Sequence, residues 1–277
     1  MKLILCSNQD LASMNILEAL LSMESFDEEK FDDIKVYKSD SFSIALLNER
    51  LIYSDHIDEK LSKFLSFDDI LFASRHSSKD GRKIFTVHVS GNPGNAEFGG
   101  KSFSLAKPSP ITIKNYVMSI KDKLSRKPDF EFSLEVTHHG PSEIKTPSAF
   151  YEIGSNEEAW RDKEAAEIVA ESLIEAIKSE RKDWKIAVGV GGTHYAPRQT
   201  EIILQTSITF GHNFAKYTFD YLNAEILSKA IELSKAEMLI YDEKSVISNI
   251  KQVIYEVAEK CKVEVYKSRE VKGKFSL

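Results

Sequence analysis

Apolar and polar residues along this 277-residue chain alternate in two rhythms. Short apolar runs recur at 1–6, 34–37, 42–46, 51–53, 68–74, 83–90, 132–137, 186–190 and 238–241, and 263–265 closes the series. Such runs, bounded by turn-forming residues, read as strands. Between them apolar residues fall three and four apart, the spacing of a helix that buries one face. Asp10 or Ser13 opens one such helix, with Leu11, Met14, Ile16, Leu17, Leu20 and Leu21 inward. A Pro108-x-Pro110 bracket leads into another, carrying Ile113, Tyr116, Val117, Ile120 and Leu124. Ser155-x-x-Glu158 has the form of a capping box and predicts a long helix with Ala159, Ala166, Val169, Leu173 and Ile177 buried. Asn223 and Ser245 predict two further helix starts.

Strands separated by helical stretches predict an α/β fold: a largely parallel or mixed sheet with helices on both faces. No repeat or composition break marks a linker, so residues 1–277 read as one compact unit, and a seam between two lobes is best placed near 106–110. Residues 22–66 are acidic and irregular apart from their short strands.

Composition narrows the class. Hydrophobic residues make up 42% and charged residues 29%, which is the balance of a globular chain in water. No apolar run is long enough to span a membrane, so a cytoplasmic protein without a membrane partner, acting as a monomer, is the expectation. Cys6 and Cys261 sit in hydrophobic surroundings without metal-type spacing and read as buried thiols.

The chemistry gathers where strands end. WKIAVGVGGTHYAPR (184–198) runs from a strand into Gly191 and Gly192 and then Thr193, His194, Tyr195, Pro197 and Arg198. FSLEVTHHGPS (132–142) delivers Glu135, His138 and His139 in the same way, and ITFGHNFAKY (208–217) delivers His212. FTVHVSGNPG (85–94) places His88 inside a strand, where a core role is expected, before Gly91 and Asn92. Ends of α/β strands are where ligands usually sit, and glycine there lets a backbone approach a ligand closely. GxSxG, Walker, HExxH and GxGxxG signatures are absent, which removes the usual serine hydrolase, NTPase, zincin and dinucleotide readings.

Histidine, carboxylate and glycine remain, and they suit two chemistries. One is zinc held by imidazoles of His138, His139, His194 and His212. There Glu135 or Glu152 would be the proton acceptor for the water that the metal polarises. The other is metal-free general base catalysis, with a histidine, His139 or His194, taking the proton from water; in either case the amides of Gly91, Gly191 or Gly192 would receive the oxyanion. Arg198 is a candidate anion clamp. Tyr195, Phe214 and Tyr217 offer rings on which a base or aromatic side chain could stack. Gly91, Asn92, Gly191, Gly192, Tyr195, Arg198 and Phe214 thus form the candidate substrate-binding set.

Charge adds a partner. The net charge is −6, yet residues 107–128 hold six Lys/Arg against one Asp, and residues 260–277 hold six Lys/Arg against two Glu. Basic segments on an acidic chain suit a polyanion held at defined places. Lys114, Lys121, Lys123, Arg126 and Lys127, with Lys267, Arg269, Lys272 and Lys274 of the basic tail, are the expected phosphate contacts.

HVSGNPG (88–94), EVTHHGPSEIKTPSAFYEIGSNEEAW (135–160), VGVGGTHYAPR (188–198) and FGHNFAKY (210–217) together resemble the archaeal and plant type of D-aminoacyl-tRNA deacylase. The likeness is good over roughly 67–217, thinner at the amino end, and weakest over 22–66 and the last forty residues. It implies an enzyme that hydrolyses the ester of D-aminoacyl-tRNA to free D-amino acid and tRNA. It further implies a zinc-containing protein with a core similar to peptidyl-tRNA hydrolases and nucleoside phosphorylases. The alternatives are a small-molecule esterase or nucleoside-processing hydrolase on the same scaffold, whose activity would be nearly indifferent to salt, and a non-catalytic RNA-binding protein, which has no use for histidines in glycine-bearing loops.

Overall fold

The computed structural model describes residues 1–277 and arranges them on two sheets. The first takes in β1 (Lys2–Ser7), β2 (Asp27–Phe31), β3 (Ile34–Lys38), β4 (Phe42–Leu47), β5 (Asp69–Arg75) and β6 (Ile84–His88). Two short strands, β7 (Gly91–Asn92) and β8 (Ser104–Leu105), form a separate ribbon. β9 (Glu131–Leu134) and β10 (Ser148–Gly154) return to the first sheet, whose order is β2-β3-β4-β1-β5-β10-β6-β9. The second sheet is parallel throughout, in the order β12 (Ile208–Phe214), β11 (Lys185–Val190), β13 (Met238–Tyr241) and β14 (Glu264–Lys267). The fold is thus α/β with one mixed and one parallel sheet.

One strand direction shapes the site. β4, β1, β5 and β10 run parallel, but β6 lies antiparallel to β10 and β9 runs with β6. Only residues 76–83 connect β5 to β6, which lie on either side of β10, too few for the dozen-residue crossover that parallel strands need. Side chains alternate faces along each strand. Leu71, Ala73, Phe85, Val87, Tyr151 and Ile153 therefore share one face, in the main core with residues of the helices Leu11–Met23, Pro110–Lys123 and Lys163–Lys178. The opposite face carries Phe72, Ser74, Thr86, His88, Phe150 and Glu152, with Ser74 beside Glu152, Thr86 beside Glu152, and His88 beside Phe150. A sheet face that presents Ser, Thr, His and Glu at its centre is built to hold something polar.

Local capping differs in places from the sequence expectation. Asp10 caps the first helix through the amide of Ser13, and Asn223 caps its helix through Ile226. Ser155 does not cap: its hydroxyl donates to the Arg82 carbonyl at 2.5 Å. The expected long helix is instead a turn, Glu157–Trp160, capped by Asn156, followed by Lys163–Lys178, capped by Asp162. Ser245 likewise does not cap; it accepts from the Gly192 amide, and the helix begins at Ser248. Residues 51–53 form a 3-10 turn, not a strand. No helix is long and apolar enough to cross a membrane.

Candidate active site

The segment that follows β9 organises the site, because it is bonded to both sheets. The Glu135 amide donates to Val87 of the first sheet, and Val136 and Thr137 donate to the carbonyls of His194 and Asn213 beside the second. The His139 carbonyl accepts from Gly91, and Gly140 donates to Phe98. Glu135, His138 and His139 are thereby fixed between the two sheets. His139 has φ 42°, a left-handed conformation held by these contacts.

Glu135 is the centre of a charge network. Its Oε2 receives His194 Nε2 at 2.6 Å and His76 Nδ1 at 3.2 Å, while its Oε1 is buried with no partner. His194 Nδ1 faces the Tyr217 hydroxyl at 3.2 Å. His76 Nε2 meets the Tyr195 hydroxyl at 3.0 Å, and that hydroxyl donates to Asp80. Glu152 lies on the sheet face, 3.9 Å from His76 Nδ1 and 3.6 Å from His88 Nε2.

Two buried carboxyls here are driven apart. Burial alone would raise the Glu135 pKa, but hydrogen bonds from His194 and His76, with the charge of His76, hold it well below the usual carboxylate range. Burial and the Glu135 charge push Glu152 well above that range. The site thus biases Glu135 toward the anion and Glu152 toward the neutral acid. That split is how active sites assign acid and base roles to like groups. Burial pulls His76 down, but the hydrogen bond and charge of Glu135 outweigh it and leave its pKa raised, so the imidazolium form is favoured.

Three further histidines are set up as neutral donors of a lone pair. Nδ1 of His88, His138 and His139 faces the carbonyls of Val89, Val136 and Gly140 at 3.4, 2.8 and 2.6 Å. A Nδ1–H turned to a carbonyl leaves Nε2 as the free lone pair, the usual orientation of a metal-binding histidine. Burial lowers His88 to about 4 and His139 to about 3, and lowers His138 well below its ordinary value. The donor atoms of His88, His138 and His139 lie within 4.8 Å of one another, as do those of Glu135, His138 and His194. His138 Nε2 also points at Glu135 Oε2 from 3.6 Å, two acceptors face to face. Converging lone pairs without protons between them fit a cation, and imidazole with carboxylate suits zinc.

Comparison with known proteins places the chain. A family profile for D-aminoacyl-tRNA deacylase matches residues 63–266. The D-aminoacyl-tRNA deacylase of Archaeoglobus fulgidus is 64% identical over 277 residues, with all of both chains covered. This chain belongs to the D-aminoacyl-tRNA deacylase family. The deacylase of Pyrococcus abyssi is 39% identical, with 96% of this chain and 100% of the relative covered, and that of Thermococcus kodakarensis is 40% identical, with 95% and 98% covered. A crystal structure of a conserved protein of unknown function superposes with a TM-score of 0.99 at 64% identity, covering 100% of this chain and 98% of the other.

Within this deacylase-family chain, several expected site residues are placed elsewhere. His212 is buried on β12 with both nitrogens engaged, Nδ1 with the Thr137 hydroxyl and Nε2 with the Ala106 carbonyl, each at 3.0 Å. It ties the two sheets together and has no lone pair to offer. Phe214 is wholly buried in the core of the second sheet and is no stacking platform. The amides proposed for an oxyanion are occupied: Gly91 donates to His139, Gly191 to Phe214 and Gly192 to Ser245. Those glycines serve the backbone, with Gly91, Gly191 and Gly192 at φ 147°, 105° and 85°. Asn92 spends its amide on the carbonyls of Gly99 and Lys101, fixing the loop. Two residues that loop spacing undervalued belong to the cluster. His88 faces it from β6, and His76 comes from the polar run that ends β5, where RHSS (75–78) was the only signal.

The fold gives each expected cation of the basic segments a partner, a carboxylate for some and a carbonyl or hydroxyl for others. Lys114 is 0% exposed and donates to the carbonyls of Ile203 and Thr206, closing a helix C-terminus. Lys121 donates to the Leu204 carbonyl, and Lys123, Arg126 and Lys127 pair with Glu175, Glu171 and Asp162. In the tail Lys267 pairs with Glu270, Arg269 with Glu243, and Lys272 with Glu201, while Lys274 meets the Tyr266 hydroxyl. Arg198 also pairs with Glu201, at 3.2 Å. Sequence windows counted the cations without the carboxylates that packing sets against them.

Two cavities meet at the cluster. One of about 400 Å³ extends from His138 and His139 toward Asn95, Tyr217 and Tyr221. The other, about 380 Å³, extends from the same histidines toward Arg50, Ile52, Arg75 and Glu152.

Proposed function

We propose that this cluster hydrolyses the ester linking a D-amino acid to the 3′ end of tRNA, releasing the free amino acid and tRNA. The observation that carries the assignment is the Glu135–His194 pair beside the bare Nε2 atoms of His88, His138 and His139. Glu135 is a positioning residue: by taking the proton-bearing Nε2 it leaves the lone pair of His194 on Nδ1, toward Tyr217. His194 Nδ1 takes a proton from water as the water oxygen bonds to the ester carbonyl carbon. The neutral Glu152 carboxyl donates to the developing oxyanion, in place of the engaged glycine amides. Collapse breaks the carbon–ribose oxygen bond, and the proton on His194 passes to that oxygen. An aminoacyl ester is already activated, so direct attack by water needs no covalent intermediate. Preference for the D-enantiomer follows from family membership.

We assign a zinc ion to His88, His138 and His139, with Glu135 nearby, because a ring nitrogen of each lies within 4.8 Å of the others and His88 Nε2 is buried without a partner. Bound there it would supply a Lewis acid that polarises the ester carbonyl. Phosphates near the acceptor end fall to a cation beside the first cavity rather than to the basic segments, whose cations already have partners. Lys216 adjoins Tyr217 of the first cavity, whereas Arg50 and Arg75 line the second and stand over the rings of Tyr53 and Trp160. A cytoplasmic location accords with such a substrate.

The test is hydrolysis of D- and L-aminoacyl-tRNA before and after chelation, with metal content measured on the same sample. Loss of zinc and activity together, with recovery on adding zinc, supports the full assignment. Activity that survives complete metal removal would discard zinc and leave His194 as the base; trapping an acyl-enzyme would discard direct attack by water.

A further inference from the structure

The two cavities differ in chemistry, although they share His138, His139 and Phe98. The first is walled by aromatic rings and amides, with Glu97 as its one acidic residue. Phe98, Tyr217 and Tyr221 are 60%, 54% and 40% exposed, three large rings left open to water around one hollow, with Asn95 beside them. Scattered exposed rings need no explanation, but three around a single cavity form an aromatic surface without an internal partner. The wall is also held in place. A side chain at Gly94 would meet the Tyr221 ring at 2.6 Å, so that ring lies flat against glycine backbone. Phe103 abuts Tyr221 edge-on at 6.0 Å, and Asn92 pins the loop through Gly99 and Lys101. The second cavity is ionic, with Asp10, Arg50, Arg75 and Glu152, and is also lined by Leu51 and Ile52.

An aminoacyl ester of tRNA also has two unlike halves: a purine nucleoside, flat and rich in hydrogen-bonding edges, and an amino acid. Aromatic rings beside amides are what proteins use to hold an unpaired base. Taking the ester reading above as given, we infer that the terminal adenosine occupies the Tyr221 cavity and the D-aminoacyl group the Arg75 cavity, with the ester carbonyl over His138 and His139. Each cavity falls within the size range of small-ligand sites. Tyr221 is the specificity-determining residue for the nucleoside half, since Tyr217 is already engaged with His194.

The experiment compares three esters of one D-amino acid: the aminoacyl-tRNA, the aminoacyl-adenosine and the ethyl ester. Tyr221→Ala is expected to raise KM for aminoacyl-tRNA about tenfold while kcat changes by less than about threefold, the scale of one lost base stack. The preference for adenosine ester over ethyl ester is expected to collapse, and Tyr221→Phe, which keeps the ring, to retain it. A second readout is independent of turnover: adenosine 5′-monophosphate binding, followed by calorimetry, is expected with the unaltered protein and is lost in Tyr221→Ala. Thermal melting of each variant separates a lost subsite from a lost fold. A stably folded Tyr221→Ala that keeps both the adenosine preference and nucleotide binding would overturn the assignment. So would loss of nucleotide binding on replacing Ile52 by Asn with Tyr221 intact, which places the base in the other cavity. A protein that binds the nucleotide through Tyr221 yet cleaves no aminoacyl ester would sink the ester reading and leave the subsite standing.

Discussion

The histidine cluster and the lysine-rich helix Pro110–Lys123 are both concentrations of polar groups, and they end in opposite states. At the helix and the turn after it, each of the five cations expected to meet phosphate finds a carbonyl or carboxylate on a neighbouring element. At the cluster, His88 Nε2 and Glu135 Oε1 are buried without partners, and His138 Nε2 faces another acceptor. Exposed ion pairs contribute little stability, but they cancel much of the field that a distant phosphate would feel. A buried polar atom with no partner carries a desolvation cost that a ligand relieves. Function is therefore better located by what the fold leaves unsatisfied than by where charge is densest.

The sharpest way to break this contrast is to neutralise the anion at its centre. Glu135→Gln is expected to lower kcat at least about 100-fold, the scale of a lost general base, because His194 loses the partner that sets its tautomer. Glu152→Gln is the internal control. Burial and the Glu135 charge bias its carboxyl toward the neutral acid, so an amide donor should cost less than about tenfold. Single-turnover rates of the two variants compare them directly, and equal losses would contradict the opposed ionisation of the two carboxyls.

His212→Ala should separate structure from chemistry. It removes a buried ring with two hydrogen bonds and is expected to cost about 2–4 kcal/mol in denaturant unfolding, with kcat changed by less than about threefold. A large kcat loss in a stable protein would return His212 to the site.

Smaller effects are expected on binding. Replacing Lys216 by Ala should weaken tRNA binding severalfold and flatten its logarithmic salt dependence by about one unit for each phosphate no longer neutralised. Lys123→Ala and Arg126→Ala should leave both within about twofold. The reverse ranking would restore the basic helix as the docking surface.

The smallest signal concerns Lys114. Burial pulls its ammonium down to about 7 from an ordinary 10.5. The folded protein then releases this proton at a lower pH than the unfolded chain does. Unfolding takes up a proton between those values, so this linkage adds stability as pH rises from about 7 toward 10. Lys114→Met, assayed by urea unfolding across that range, should flatten the slope and leave tRNA affinity unchanged.

Periodicity alone located most elements and the helix starts at Asp10 and Asn223, because amphipathic spacing and side-chain caps are local, set within three or four residues. The strand-end segments carrying Glu135, His138, His139 and His194 were legible too, since glycine and histidine after an apolar run are a short-range pattern, and together with neighbouring blocks they carried the family resemblance. The roles were not legible. Glu135 meets His194 across 59 residues of chain, and His212 meets the Ala106 carbonyl across 106. Whether a histidine keeps a free lone pair, a glycine keeps a free amide or a lysine keeps its charge depends on partners that only folding brings near. The short link of residues 76–83 shows the same division: its length in the sequence reverses β6, and only the finished sheet shows that the reversal sets His88 opposite Phe150 and Thr86 opposite Glu152, on the face where the histidines converge.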